Sequence, residues 1–311
     1  MWVILAFISA LCLGFYDISK KVALRNNSVV DVLTMSVLIS SVILSLPLIF
    51  SRLCPTLLIH TPFYVPTLDL IGHLFTILKS CIVLSSWIFA YLSLKHLPIS
   101  IVSPWQATRP MWTLIGALLI FGERLNTWQW LGVILAIGCI FVFSFKTVNF
   151  KNQTATDRRY YFCLAMAILI GSCSGLYDKY LMRQYDHNAV QVYYTFYQAI
   201  MMFVVWIIYR KRIVRNPTAT FSLRGLDWLP IALISIFLVI SDNVYMLALQ
   251  NPDSMIAVVS TIRRGGTILG FGYGLIFLHE SDPWRKIICM LGVLAGLICL
   301  AFGSIGEQFA S

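Results

Sequence analysis

The chain has 311 residues, of which 59% are hydrophobic and only 12% charged, with a formal net charge of +10. Soluble domains carry about 25% charged residues, so this composition excludes an ordinary soluble fold. The apolar residues come in blocks near the ~20 residues that a helix needs to cross a bilayer, and little sequence remains for a soluble domain.

Ten such blocks occur, at about 2–24, 30–51, 69–94, 98–121, 127–146, 160–183, 189–210, 227–250, 254–278 and 285–304. They predict an all-α integral membrane protein with ten transmembrane helices. The first carries Gly14-Phe15-Tyr16-Asp17 and then Lys20, Lys21 and Arg25. Tyr16 and Asp17 stand where a signal peptide would need small residues, so this segment is expected to stay in the mature protein. Asp17 and Lys21 are four apart and share a helical face. The third block carries Lys79 near its middle and Trp87 further on. The fourth holds Pro104-Trp105-Gln106-Ala107-Thr108-Arg109-Pro110, whose prolines predict a kink or a local unwinding. It ends in Phe121-Gly122-Glu123, and the fifth has Gly132 and Gly138 for close packing.

Residues 147–159 are a polar stretch, after which the pattern restarts. Gly175-Leu176-Tyr177-Asp178 echoes Gly14-Phe15-Tyr16-Asp17, and Val190-Gln191-Val192 echoes Val30-Asp31-Val32. Ser260 to His279-Glu280 runs without a gap against Ser103 to Gly122-Glu123. The expected units are 1–149 and 157–305, joined by 150–156. Five crossings per unit force the second to enter from the opposite side. The repeats are therefore expected to be inverted, with a site near the midplane between them.

These features resemble the drug/metabolite transporter superfamily, EamA type. The resemblance lies in Pro110 and Phe121-Gly122-Glu123 in one half and Leu278-His279-Glu280 in the other, each followed by a Gly-rich helix. It implies a ten-helix transporter with a cavity lined mainly by helices 1, 3, 4, 6, 8 and 9. Thr267 stands where the first half has Pro110, and the Arg263-Arg264 pair is not part of the family pattern. The resemblance also implies cytoplasmic termini. The lysine/arginine distribution implies the reverse: Lys20, Lys21, Lys146, Lys151, Arg210, Lys211 and Lys286 lie after odd-numbered helices, whereas Arg52, Arg124, Lys179 and Arg183 lie on the other side. A plasma membrane, of the bacterial inner type, is the expected location.

Charges within membrane helices cost roughly 2.5–3.5 kcal/mol each on insertion scales and tend to face a cavity or one another. The deep ones are Asp17, Lys79, Arg109, Asp178, Asp242, Arg263 and Arg264. Arg263 aligns with Gln106, one turn from Arg109, so each half presents a guanidinium on a comparable face. The candidate substrate-binding set is Tyr16, Asp17, Lys79, Trp87, Trp105, Gln106, Arg109, Tyr177, Asp178, Asn243, Arg263 and Arg264. Arginine suits carboxylate or phosphate, and aromatic rings offer flat walls. Structural readings stand beside these. The aspartates either line a cavity or lock the halves through Lys21 or the arginines; Lys79 either faces inward or snorkels. Trp87 and Trp105 face either cavity or lipid, Arg264 is either ligand or brace, and Glu123 and Glu280 brace turns.

The expected activity is secondary transport of a small anionic or zwitterionic, amino-acid-like metabolite by alternating access. A proton-coupled multidrug or cation exporter is the alternative. A membrane-embedded enzyme would need a nucleophile with its base, or a metal-ligand set, and neither pattern is present. The eight cysteines form no CxxC pair. No cofactor, metal or nucleic acid is expected; a proton has Asp17 or Asp178 to couple through. The partners expected are the bilayer and a small-molecule substrate, with the chain a monomer or weak homodimer.

Overall fold

A computed structural model describes residues 1–24, 27–59, 61, 63–96, 108–145, 155–214, 228–266 and 269, with scattered positions from 284 to 303. Among these the regular secondary structure is helical, with no strand. The helices are α1 (Trp2–Ala23), α2 (Val29–Leu53), α3 (Leu70–His96), α4 (Arg109–Gly116), α5 (Thr127–Phe145), α6 (Ala155–Met182), α7 (His187–Val214), α8 (Trp228–Gln250) and α9 (Ile256–Arg264). A single turn, Pro55–Leu58, follows α2, and a π turn, Ala117–Phe121, extends α4.

Six of these helices are long and apolar enough to cross a membrane: α1, α2, α3, α6, α7 and α8. Two shorter apolar segments, Arg109–Phe121 and Thr127–Cys139, accompany them. The protein is therefore an integral, multi-pass membrane protein. The predicted bounds of α1–α3, α5, α7 and α8 differ from those observed by a few residues, because each block is bounded by polar or proline-rich sequence. At α6 the difference is larger. The helix starts at Ala155, inside the polar stretch assigned to the linker, since helix propensity there continues ahead of the apolar run. Pro98 to Ala107, most of 267–283 and residues 304–311 lie outside the described residues.

Local sequence explains several ends. Ser28 caps α2: its Oγ accepts the Asp31 N–H at 3.3 Å, and it donates to the Asp31 carboxylate at 2.6 Å. Pro47 sits inside α2 without ending it. Pro110 lies in the first turn of α4, where a missing N–H costs nothing.

With few charges available, the helices meet through small residues and hydroxyls. α1 packs against α8, and α3 against α6. In the first pair, Ser9 Oγ donates to the Ser241 carbonyl at 2.8 Å and Ser241 Oγ to the Ser9 carbonyl at 3.0 Å. In the second, Ser86 Oγ donates to the Ala167 carbonyl at 2.9 Å and Ser93 Oγ to the Tyr160 carbonyl at 3.3 Å. α4 packs on α6 and α9 on α1, while α2 meets α7 and α4 meets α9. α5 approaches the segment around Gly296 through Gly132. Ile256, Ala257, Val258, Val259 and Ile262 of α9 are wholly buried with Ala6 of α1, so this short helix lies in the interior.

Candidate functional site

Several ionised side chains lie in the interior of this bundle. Lys79, on the middle of α3, is 2% exposed and donates to Asp178 of α6, itself 7% exposed. Lys79 therefore does not snorkel: α3 begins at Leu70, more than two turns earlier, and the ammonium points to a neighbouring helix. Its Nζ also lies 4.6 Å from the centre of the Tyr194 ring, on α7. A second pair joins α9 to α8. Arg263 Nη2 lies 2.8 Å from Asp242 Oδ1 and 3.2 Å from Ser241 Oγ, with the guanidinium 4.0 Å from the centre of the Tyr245 ring. Each cation thus has one carboxylate and one aromatic face, two stabilising contacts in a low-dielectric setting.

The two pairs form one electrostatic cluster. Tyr194 lies in the field of Asp242, Asp178 and Arg263, and Tyr245 in that of Asp178, Arg263, Arg109 and Asp242. Arg109 enters from the first turn of α4. Its Nη2 donates to the Gly171 carbonyl of α6, and Ser172 Oγ returns a bond to the Arg109 carbonyl at 3.1 Å. A Cβ on Gly171 would stand 2.6 Å from Arg109 Cζ, so the absent side chain is what admits the guanidinium. Beside the cluster, Ser40, Gln191, Tyr194, Thr195, Gln198 and Asp242 line a hollow between α2, α7 and α8 of about 10 Å³, enough for roughly one water. The Gln198 side-chain nitrogen is buried there without a hydrogen-bond partner.

The other sequence candidates are placed differently. Asp17 pairs with Lys20 of its own helix at 2.8 Å and is 38% exposed. It also lies in the field of Arg264. Tyr16 is buried, with Lys20 Nζ 4.7 Å over its ring. Tyr177 donates its hydroxyl to the Phe75 carbonyl at 3.1 Å and stacks on Tyr180. Asn243 bridges Asn188 at 2.9 Å and Gln191 at 2.8 Å, within a chain of amides that braces α7 against α8. Trp87 packs with Leu33, Leu84 and Met202. Trp105 and Gln106, with Glu280, lie outside the described residues.

Sequence reasoning left Tyr194 and Tyr245 out of the set. Asp242 was also outside that set, although it was among the deep charges. It stands one turn before Tyr245, the only local signal for that ring, and Tyr194 has no charge within one turn of it in the sequence.

The first half of the chain matches a known family. Residues 1–145 match the EamA-like transporter family. It is part of the drug/metabolite transporter superfamily, in line with the resemblance carried by Pro110 and Phe121-Gly122-Glu123. No curated protein matches the chain. Among solved structures, a crystal structure of a protein matches with a TM-score of 0.74. It is 11% identical and covers all of this chain and 99% of its own. At that identity it shows a shared fold alone. An EamA-type unit in residues 1–145 agrees with a membrane transporter, and the cluster begins in that unit, with Lys79 and Arg109, and is completed by residues beyond it.

Proposed function

We propose that this protein is a secondary transporter of a small zwitterionic or anionic organic metabolite, amino-acid-like, moved by alternating access. The observation that carries the reading is two ion pairs between helices of the bundle, Lys79–Asp178, which is buried, and Arg263–Asp242, whose side chains are each 16% exposed. Buried ion pairs repay their desolvation poorly, and apolar replacements are often as stable. Four charges held between helices, two of them buried, in a chain with 12% charged residues are costly as scaffolding. They make sense as a site whose own charges stand in for a solute.

Partner exchange gives the solute class. A solute carboxylate takes Arg263 or Lys79 while its ammonium takes the released aspartate, so no charge is left unpaired in a dry site. A bare cation entering at Asp178 would strand Lys79. A bare anion is next best, because Arg109 adds a guanidinium held to a backbone carbonyl. Tyr194 and Tyr245 supply the flat walls.

The architecture proposed is ten helices in two inverted five-helix units, about 1–149 and 157–305. The packing supports it: exchanging each helix for its counterpart five positions on turns α1–α8 into α6–α3, and α4–α6 into α9–α1. The remaining spans would come from the segments around 254–278 and 285–304. Rocking of one unit against the other would expose the cluster to each side in turn. A proton coupling through Asp178, a plasma-membrane location and a monomer or weak dimer complete the proposal.

A thermal-stabilisation screen of the purified protein against amino acids, other zwitterions, organic anions and lipophilic cations tests it. Zwitterions are expected to stabilise the wild type, with the effect lost in Arg263→Gln and Lys79→Met. Stabilisation by lipophilic cations that survives both substitutions but not Asp178→Asn would instead establish the cation exporter.

A further inference from the structure

The far ends of the two short helices that carry Arg109 and Arg263 are tied together. α4 runs from Arg109, at the cluster, towards Glu123; α9 runs the other way, from Ile256 to Arg263. The two pack against each other. Past Gly116, α4 widens into its π turn, and Gly122 then adopts φ +62°, a left-handed conformation that glycine takes without strain. That turn delivers Glu123 onto the start of α9. Its Oε1 accepts the Ile256 N–H at 2.6 Å and its Oε2 the Ala257 N–H at 3.2 Å. These N–H groups have no partner within the helix, and the residue before α9, Met255, supplies no side-chain cap. A carboxylate there is also favoured by the helix dipole.

α6 holds the same corner. Lys179 is wholly buried, and its Nζ donates to the carbonyls of Leu249 and Asn251 at 3.3 Å each and of Ser254 at 2.6 Å. The Arg183 guanidinium lies 4.8 Å over the ring of Phe121, two residues before Glu123. Charged side chains of α6 and of the turn after α4 thus clamp the α8–α9 connection, on the one side of the membrane that the chain reaches after α4, α6 and α8.

We propose that the Glu123 contact with the start of α9 is a latch that keeps this side of the protein closed. Breaking it parts α4 from α9 and opens a path between them to the charged cluster. The inference rests on the transport reading and names its gate.

The test is thiol accessibility in the full chain with its native cysteines replaced. Thr113→Cys places the reporter at a buried position one turn beyond Arg109 on the way to Glu123. A membrane-impermeant thiol reagent is applied from each side of proteoliposomes, with amide hydrogen exchange at Ile256 and Ala257 followed in parallel. Adding Glu123→Ala is expected to raise labelling at least about tenfold from one side only, the scale of losing charge-assisted hydrogen bonds. Glu123→Gln keeps an acceptor oxygen and is expected to change it by no more than about threefold. Faster exchange at Ile256 and Ala257 with unchanged labelling would overturn the latch and leave Glu123 a helix cap. Equal labelling from both sides would overturn it as well. One-sided labelling in a protein that no solute stabilises would keep the latch and remove the substrate reading.

Discussion

Gly14-Phe15-Tyr16-Asp17 and Gly175-Leu176-Tyr177-Asp178 are nearly the same four residues in two similar apolar segments, yet they end in different places. Asp178 is buried against Lys79 of a neighbouring helix, whereas Asp17 is 38% exposed and turns to Lys20 of its own. The glycines part in the opposite sense. A Cβ on Gly14 would come within 2.7 Å of the Gly266 carbonyl oxygen, whereas one on Gly175 would meet only the Tyr245 hydroxyl, at 3.8 Å. A repeated motif repeats the local conformation. The environment of each copy is set by what lies opposite: α3 brings Lys79 to Asp178, whereas Asp17 meets Lys20 of its own helix.

The largest expected difference follows from the aspartates. Asp178→Asn leaves the Lys79 ammonium buried without its counter-charge, and a loss of about 3–5 kcal/mol is expected. Lys79→Met combined with Asp178→Leu is expected to recover most of that stability while abolishing ligand stabilisation; chemical unfolding in detergent measures both. If the double variant is as unstable as the single one, the pair is structural.

Next come the glycines. Gly14→Ala is expected to cost roughly 1–3 kcal/mol, because backbone stands in the way on α9's side. Gly175→Ala is expected to be neutral or stabilising by up to about 1 kcal/mol through helix propensity. Equal shifts in melting temperature for the two would mean that the close approach of α1 to the segment after α9 is absent.

Smaller still, Asp17→Asn is expected to change stability by at most about 1 kcal/mol, since a half-exposed pair within one helix is screened. A loss as large as that of Asp178→Asn would make the two copies equivalent after all.

The smallest effect is in pH dependence, at the latch. Burial pushes the Glu123 carboxyl above its ordinary range, opposed by the two backbone N–H bonds and by Lys179 and Arg183. With the folded value raised, the native state holds the proton more tightly. The contribution is present at acid pH and declines as pH rises through the folded value. The melting temperature of the wild type relative to Glu123→Gln is therefore expected to fall across that window. A rise would show the N–H bonds winning over burial.

The membrane class, the bounds of α1–α3, α5, α7 and α8 to within a few residues, and the depth of Lys79 and Asp178 were legible in the sequence because each depends on a local property: how many apolar residues follow one another, and where a proline or charge interrupts them. The start of α6 was not, because a polar run and a helix are compatible. Depth also put Asp17, Lys79, Arg109, Asp178, Asp242, Arg263 and Arg264 in one group, and of these Asp17 turned instead to Lys20 of its own helix. Which of them touch, and that Tyr194 and Tyr245 lie beneath the cations, was not encoded at that range.

The sequence by itself therefore determined that this is a membrane protein carrying ionised groups at mid-helix, since the cost of a charge in hydrocarbon is a property of the residue and its distance from a helix end. The tertiary structure alone decided the pairings: Lys79 with Asp178, Arg263 with Asp242, Asp17 with its own helix and Glu123 with the start of α9. A charge's partner is chosen by the rotation and register of packed helices, and those are fixed by contacts between residues tens to hundreds of positions apart.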